Sequence, residues 1–477
     1  MAVRNGAQYR AGLNDGRKLW FGDREVALSE VPELQGSIDG MAGYFDWQTA
    51  HPDDCIAIDP ESGEQMAASL IVPRNHADLK ARHRCYDRIA RYSCGTLGRT
   101  PDYLNGTLAG FVARDDVFRN SEDPHSADRL RNFYREVVAG DLAMTHTIIH
   151  PTIDKAHGGV EGMNADLALR VVRRTPSSII VSGAKVLATY GPFADEMFVY
   201  PGGEALPEHA RDYALMFSIP VNTKGLIQVC RDHYGVTRSR EDAPFSSRFD
   251  EQDTFLIFDE VEVPLERVFI DGDVKTHNSL VRSGWAANIQ HQTTTRAAVK
   301  LEFAYQLGAA MANAMNIAKR PDTAAMLGEI LTFARLTRAA TKAAEANARD
   351  FGNGAFFPDE KPTNAIRSSM AQWMVRTQEI LIQIGSHNLL ATPSLAAFSN
   401  PKMADLLNRY LPGANGVTAQ ERSRLFRMAW DFTGSALAGR NTLYERFYLG
   451  SRPRALSGDH MREMMAPSLD LLESFMG

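Results

Sequence analysis

The sequence predicts a helical N-terminal domain over residues 1–140, a middle antiparallel β-barrel or sandwich over 141–278, and a C-terminal four-helix bundle over 279–477. Three observations carry this order. Apolar residues recur every three or four positions in stretches before residue 140. The period shortens toward two between about 178 and 270. Long runs rich in Ala, Leu, Met, Lys and Glu then fill about 280–446.

The front of the chain is polar and punctuated by Pro, Gly and Asp. A helix is expected from His76 toward Tyr92, and another over 127–138, where Leu130, Phe133 and Val137 share one face. In the middle, Ser178–Ser182, Glu196–Tyr200, Tyr213–Ile219, Leu226–Cys230 and Thr254–Phe258 read as short strands, separated by Pro201-Gly202-Gly203, Pro220 and Lys224-Gly225. None alternates with a long helix, which argues against a parallel doubly wound sheet. Helices are expected over 292–318 and 323–350, parted by Arg320-Pro321-Asp322, then from Asn364, just after Pro362, to Leu389. A fourth opens on Thr418-Ala-Gln-Glu421, a capping box, and continues to about Ala438.

Composition narrows the function. The 477 residues are 44% hydrophobic and 23% charged, with a mean hydropathy of −0.28, as in ordinary globular proteins. No run approaches a membrane span, and the first twenty residues lack the apolar core of a secretory signal. A net charge of −6 gives no reason for the chain to coat nucleic acid. Four scattered cysteines, Cys55, Cys85, Cys94 and Cys230, form neither a disulfide framework nor a C-x-x-C metal or redox pair. A cytoplasmic protein without a metal site is expected. There is no G-x-G-x-x-G, P-loop, H-E-x-x-H or G-x-S-x-G, so any reactive group is bound without these motifs.

The succession of helices, strands and bundle resembles the acyl-CoA dehydrogenase architecture, in which flavin lies between the β domain and the bundle. Seven segments narrow the likeness: Arg4–Arg17, Gly98-Arg-Thr-Pro-Asp-Tyr103, Asp141-Leu-Ala-Met-Thr-His146, Leu187–Phe193, Pro244–Asp250, Phe258–Phe269 and Gly439–Phe447. In that order they resemble the two-component flavin-dependent aromatic hydroxylases typified by the oxygenase component of 4-hydroxyphenylacetate 3-hydroxylase. The resemblance implies a homotetramer that takes reduced FAD (FADH2) from a separate NAD(P)H-flavin reductase. Dioxygen would be the co-substrate, and a flavin C4a-hydroperoxide would hydroxylate a phenol ortho to its hydroxyl. The phenol would be a free small molecule or tethered to a carrier protein.

The same resemblance brings Arg99, Tyr103 and His146 together on the phenolic oxygen as catalytic and substrate-binding residues. A permanent cation, a hydroxyl donor and an imidazole suit a ring whose oxygen must gain negative charge. The spacing across Pro101 would let Arg99 and Tyr103 leave one short loop together. Read without the resemblance, Arg99 is a surface ion-pair partner with Asp102 as the candidate acid, Tyr103 a packing residue, and His146 a satisfied core histidine.

For the flavin, the resemblance implies contacts from His146, from Thr152, Ile153, Asp154 and Lys155, from Thr189, and from Gly439, Arg440 and Asn441, with Arg440 offering a fork for phosphate. Turn residues, a glycine helix cap and a solvated arginine are the alternatives for these positions. Pro201 and Gly202 would begin a loop folded over the substrate, or simply a hairpin connection. Three rivals stand beside the hydroxylase. An iron–sulfur 4-hydroxybutyryl-CoA dehydratase would use His291, but its thiolates are missing: Ala298 occupies one position and Cys94 stands alone. An acyl-CoA dehydrogenase would need a carboxylate base such as Glu445, here more simply an ion-pair partner of a nearby Arg on the helix surface. A non-catalytic helical scaffold would need only apolar faces.

Overall fold

The structure is a computed structural model that describes residues 3–152, 167–202, 205–236, 239–448, 450–466 and 468–476. Two compact units divide the chain. One comprises 1–240, 245–296 and 348–358; the other comprises 241–244, 297–347 and 359–477.

In the first unit, local signals set the helices. Asn75 caps the helix His76–Tyr92 by accepting from the backbone N–H groups of Ala77 and Asp78. The helix Ser126–Gly140 buries Leu130, Phe133 and Val137, the face expected from their spacing. The helix Pro101–Ala113 is buried on every side, which its apolar and small residues permit.

The strands form two sheets. A six-stranded sheet runs in the order Arg24–Ala27, Lys18–Phe21, Leu226–Cys230, Asp253–Pro264, Ser178–Thr189, Arg170–Arg174. A four-stranded sheet runs Val268–Asp271, Leu215–Pro220, Glu196–Val199, Met144–Thr147. They pack face to face through Leu256, Phe258, Val261 and Val263 of one and Met197, Val199, Phe217 and Ile219 of the other. The alternate residues of the smaller sheet, Met144, Phe198, Met216 and Ile270, pack with Phe111 and Phe133 of the helices. This is a sandwich. The expected barrel alternative is corrected: among the described residues neither sheet closes, because each ends in an edge strand. The sheets are also not purely antiparallel. Lys18–Phe21 pairs parallel with Leu226–Cys230, and Met144–Thr147 parallel with Glu196–Val199. The first of these strands belongs to a hairpin turned at Gly22 (φ 65°) inside the stretch expected to be helical.

The second unit is helical. Ala297, Leu301, Ala334, Met370 and Met374 form a core beside the stacked Phe333 and Trp373 rings. The helix expected from Asn364 instead spans Glu360–Gly385, because a proline in a first turn forfeits no intrahelical bond. The helix expected to reach Ala438 ends at Thr433. A Cβ on Gly434 would lie 2.4 Å from the Trp430 ring, and Ser435 caps a new helix, Ala436–Phe447. Among the described residues no helix is long and apolar enough to cross a membrane.

Candidate functional site

Pro101 supplies the fixed φ of a first helical residue, so the chain turns into the helix Pro101–Ala113 immediately after Arg99 and Thr100. A buried carboxylate holds the approach: the backbone N–H groups of Gly98 and Arg99 both donate to Glu251 Oε1 at 2.7 Å. Tyr103 thus belongs to the first turn of a helix, a correction to the expected loop, because Thr100 and Pro101 start the helix sooner. The Arg99 guanidinium carbon lies 3.9 Å from the Tyr103 ring centroid. Asp102 is buried and accepts from Gln292 Nε2 at 2.9 Å.

His146 occupies the strand Met144–Thr147 and is the register partner of Phe198. Its ring is near-parallel to two tyrosines: the Tyr103 centroid is 5.5 Å away at 27°, and the Tyr200 centroid 5.4 Å away at 19°. Burial, reinforced by the Arg99 charge, holds the His146 imidazole well below its ordinary pKa, so it is neutral. Burial first, then neighbouring Tyr103, pushes the Tyr200 hydroxyl well above its ordinary range. That hydroxyl lies beside the Tyr103 and Thr107 side chains. His146 Nδ1 and Thr147 Oγ1 are buried without a hydrogen-bond partner among the described residues. Unsatisfied buried polar atoms clustered on one strand mark a place for a ligand or water.

Thr189 ends the strand Ser178–Thr189, directly opposite Asp253. Its hydroxyl donates to Asp253 Oδ1 at 2.8 Å, and its carbonyl accepts from Thr145 of the His146 strand. Pro201 is buried and Gly202 exposed, and a Cβ on Gly202 would stand 3.0 Å from the Ile148 carbonyl. The chain leaving Tyr200 therefore runs against the chain leaving His146. Nearby, Lys185 Nζ lies 2.9 Å from His150 Nε2, and burial pulls the Lys185 ammonium down to about 7.

The structure thus brings Arg99, Tyr103 and His146 together and ties Thr189 to the same strand. Thr152 is exposed, and Ile153, Asp154 and Lys155 lie outside the described residues. Gly439, Arg440 and Asn441 belong to the helical unit and do not follow its last long helix. They sit within Ala436–Phe447, since the helix restarts at Ser435, so Gly439 is not a cap. Arg440 lies over the Tyr444 ring at 5.0 Å, and Asn441 is buried. Glu445 is not on the surface: it is buried and accepts from Lys300 Nζ at 2.8 Å. His291 is buried, edge-on to Tyr86. Sequence reasoning missed Tyr200, Thr147, Glu251 and Asp253. Tyr200, at the end of an apolar strand before Pro-Gly, carried the one usable signal.

The 4-hydroxyphenylacetate 3-hydroxylase N-terminal family matches residues 5–270, and the corresponding C-terminal family matches 278–477. The chain belongs to this family. Its relatives include the 4-hydroxyphenylacetate 3-monooxygenase oxygenase component of Geobacillus sp. (strain PA-9), 32% identical with 95% of this chain and 92% of the relative covered. The hydroxylase family is also represented by a solved oxygenase component of 4-hydroxyphenylacetate 3-monooxygenase complexed with FAD and 4-hydroxyphenylacetate. It is 31% identical with a TM-score of 0.89, over 99% of this chain and 100% of that one. A 4-hydroxybutyryl-CoA dehydratase from N. maritimus has a TM-score of 0.87 at 17% identity, over 99% of this chain and 94% of that one, a likeness of fold alone.

Proposed function

We propose that this chain is the oxygenase component of a two-component, FAD-dependent monooxygenase that hydroxylates a phenol ortho to its hydroxyl. Reduced FAD comes from a separate NAD(P)H-flavin reductase, and dioxygen is the co-substrate. The observation that carries this reading is the assembly of half-buried Arg99 with buried Tyr103, His146 and Tyr200, a cation and two hydroxyls beside a neutral imidazole.

The residues also fit a flavin. His146 Nδ1 and Thr147 Oγ1 are buried polar atoms unsatisfied by the described residues, on a strand bonded through Thr145 to Thr189. A bound isoalloxazine offers the donors and acceptors such groups require. When bound, the reduced flavin would supply the two electrons that activate dioxygen, one atom of which goes to the phenol and the other to water.

The protein's part concerns the phenol. Arg99 stabilises negative charge developing on the phenol oxygen, and Tyr103 donates to that oxygen. His146, held neutral, accepts the phenol proton. Ionising the phenol raises electron density at the ortho carbon, where oxygen is delivered. Burial around the stack excludes water that would compete for both charges. Pro201 and Gly202 border the substrate, with Thr152 and Thr189 toward the cofactor. On the family likeness, the fold is acyl-CoA dehydrogenase-like with divisions near residues 140 and 278, and the chain assembles as a homotetramer.

Anaerobic titration with reduced FAD, followed by a phenol panel run with added flavin reductase, NADH and oxygen, tests the proposal. Saturable binding of reduced FAD and a hydroxylated phenol formed with matching oxygen uptake are expected. Failure to bind reduced FAD overturns it.

A further inference from the structure

The Thr189 hydroxyl is not free to choose its role. Thr189 and Asp253 are direct cross-strand partners, and Thr189 Oγ1 lies 2.8 Å from Asp253 Oδ1. An ionised carboxylate only accepts hydrogen bonds, so the hydroxyl donates and its proton is committed. Asp253 is itself held, because Arg231 donates to its other oxygen from Nη2 at 3.0 Å and Nε at 3.2 Å. Arg231 is anchored in turn by Asp250, at 2.6 and 3.0 Å, and its guanidinium lies over the Tyr234 ring. No described residue donates to Thr189 Oγ1, so what the hydroxyl offers to any ligand is a lone pair.

We propose that Asp253, carried by Arg231, is a positioning residue that fixes the Thr189 hydroxyl as a hydrogen-bond acceptor toward the cofactor. The pocket thereby favours a flavin edge bearing an N–H over one bearing a bare nitrogen. This inference rests on the flavin reading and deepens it. Two-electron reduction places a hydrogen on the central-ring nitrogen N5, where the oxidised ring keeps a lone pair. An acceptor meets the reduced edge with a hydrogen bond and the oxidised edge with a second acceptor, leaving both unpaired. Buried acceptors without a donor carry a desolvation cost, so the two redox forms are discriminated by polarity rather than by shape. An oxygenase that borrows its flavin from a reductase needs that discrimination, since the spent, oxidised form must leave.

The decisive variant is Asp253→Asn. Arg231 only donates, so the amide oxygen must face it and the amide NH2 falls against Thr189. Thr189 then accepts from the amide, and its own proton turns toward the pocket. The polarity inverts with almost no change of shape. Dissociation constants for reduced and oxidised FAD, measured anaerobically by equilibrium dialysis, read this out without turnover. The wild type is expected to prefer reduced FAD, and Asp253→Asn to lose about tenfold or more of that preference. The midpoint potential of the bound flavin would fall by about 30 mV per tenfold. Thr189→Val should lose the preference as well, while Thr189→Ser, which keeps the hydroxyl, should retain it. This second pair decides the matter should Asp253→Asn fail to fold. Unchanged affinity ratios in folded Asp253→Asn, or in Thr189→Val, overturn the inference and leave the flavin reading standing. A wild type that binds neither redox form sinks the flavin reading itself, and this inference with it.

Discussion

The Arg99 guanidinium carbon lies 3.9 Å from the Tyr103 ring centroid, where the chain enters the helix Pro101–Ala113. The ring contact holds the cation, while Glu251 fixes the backbone through the N–H groups of Gly98 and Arg99. A permanent charge is thus held beside a neutral imidazole. Replacing Arg99 by Lys keeps the charge but loses both the ring contact of the guanidinium and the fork of donors. Arg99→Lys should lower kcat/KM for the phenol about 10-fold, and Arg99→Ala about 100-fold or more. Oxygen uptake should persist in both while hydroxylated product falls, a loss of coupling measured by comparing peroxide with product.

His146→Ala should reduce product formation about 10²-fold, the range expected for an acid–base group. The wild-type imidazole is held well below its ordinary pKa by burial and by Arg99, so it stays neutral through the physiological range. The kcat/KM profile should therefore show no acid limb near pH 6.5. Such a limb, abolished in His146→Ala, would mean that the imidazole titrates normally and that its buried place beside Tyr103 and Tyr200 is wrong.

Asp141 couples folding to pH. Burial pushes its carboxyl up to about 6, against the bonds from Arg4 N and Gln48 Nε2 that favour the charged form. A raised pKa means the folded state binds more protons than the unfolded one between the two values. Its stability contribution is complete below the unfolded value near 4 and is lost as pH rises through 6. Asp141 Oδ2 accepts both bonds, so an asparagine oxygen can replace it, and asparagine tolerates the positive φ of 44°. Asp141→Asn should raise Tm at pH 8 by several degrees and leave it nearly unchanged at pH 4, as read by calorimetry.

Lys300 and Glu445 form a buried ion pair in the helical unit. Removing one partner strands a buried charge, so Glu445→Ala should destabilise by about 3–5 kcal/mol in urea titrations. Lys300→Met with Glu445→Leu should recover most of that loss. Anaerobic incubation of the FAD-loaded protein with acyl-CoA should leave the flavin oxidised, since Glu445 is engaged with Lys300 rather than poised as a base.

Much of this molecule is written locally. Asn75 and Thr418 cap their helices, the three-and-four spacing of Leu130, Phe133 and Val137 names the buried face, and the expected strands overlap real ones, though Ser178–Thr189 and Asp253–Pro264 run to twelve residues. Arg99, Tyr103 and His146 were legible through family motifs; their mutual geometry was not. The hairpin at Gly22 was not read from the sequence, because Lys18–Phe21 and Arg24–Ala27 do not alternate, and its parallel pairing with Leu226–Cys230 had no local mark. Only the tertiary structure decided that Tyr200 closes the imidazole stack, that Glu251 holds Arg99, and that Asp253 commits the Thr189 proton. The physical reason is one of range. Periodicity and capping report hydrogen bonds closed within a few residues, whereas register between distant strands is set by which apolar faces bury together, and a site's polarity follows from that register.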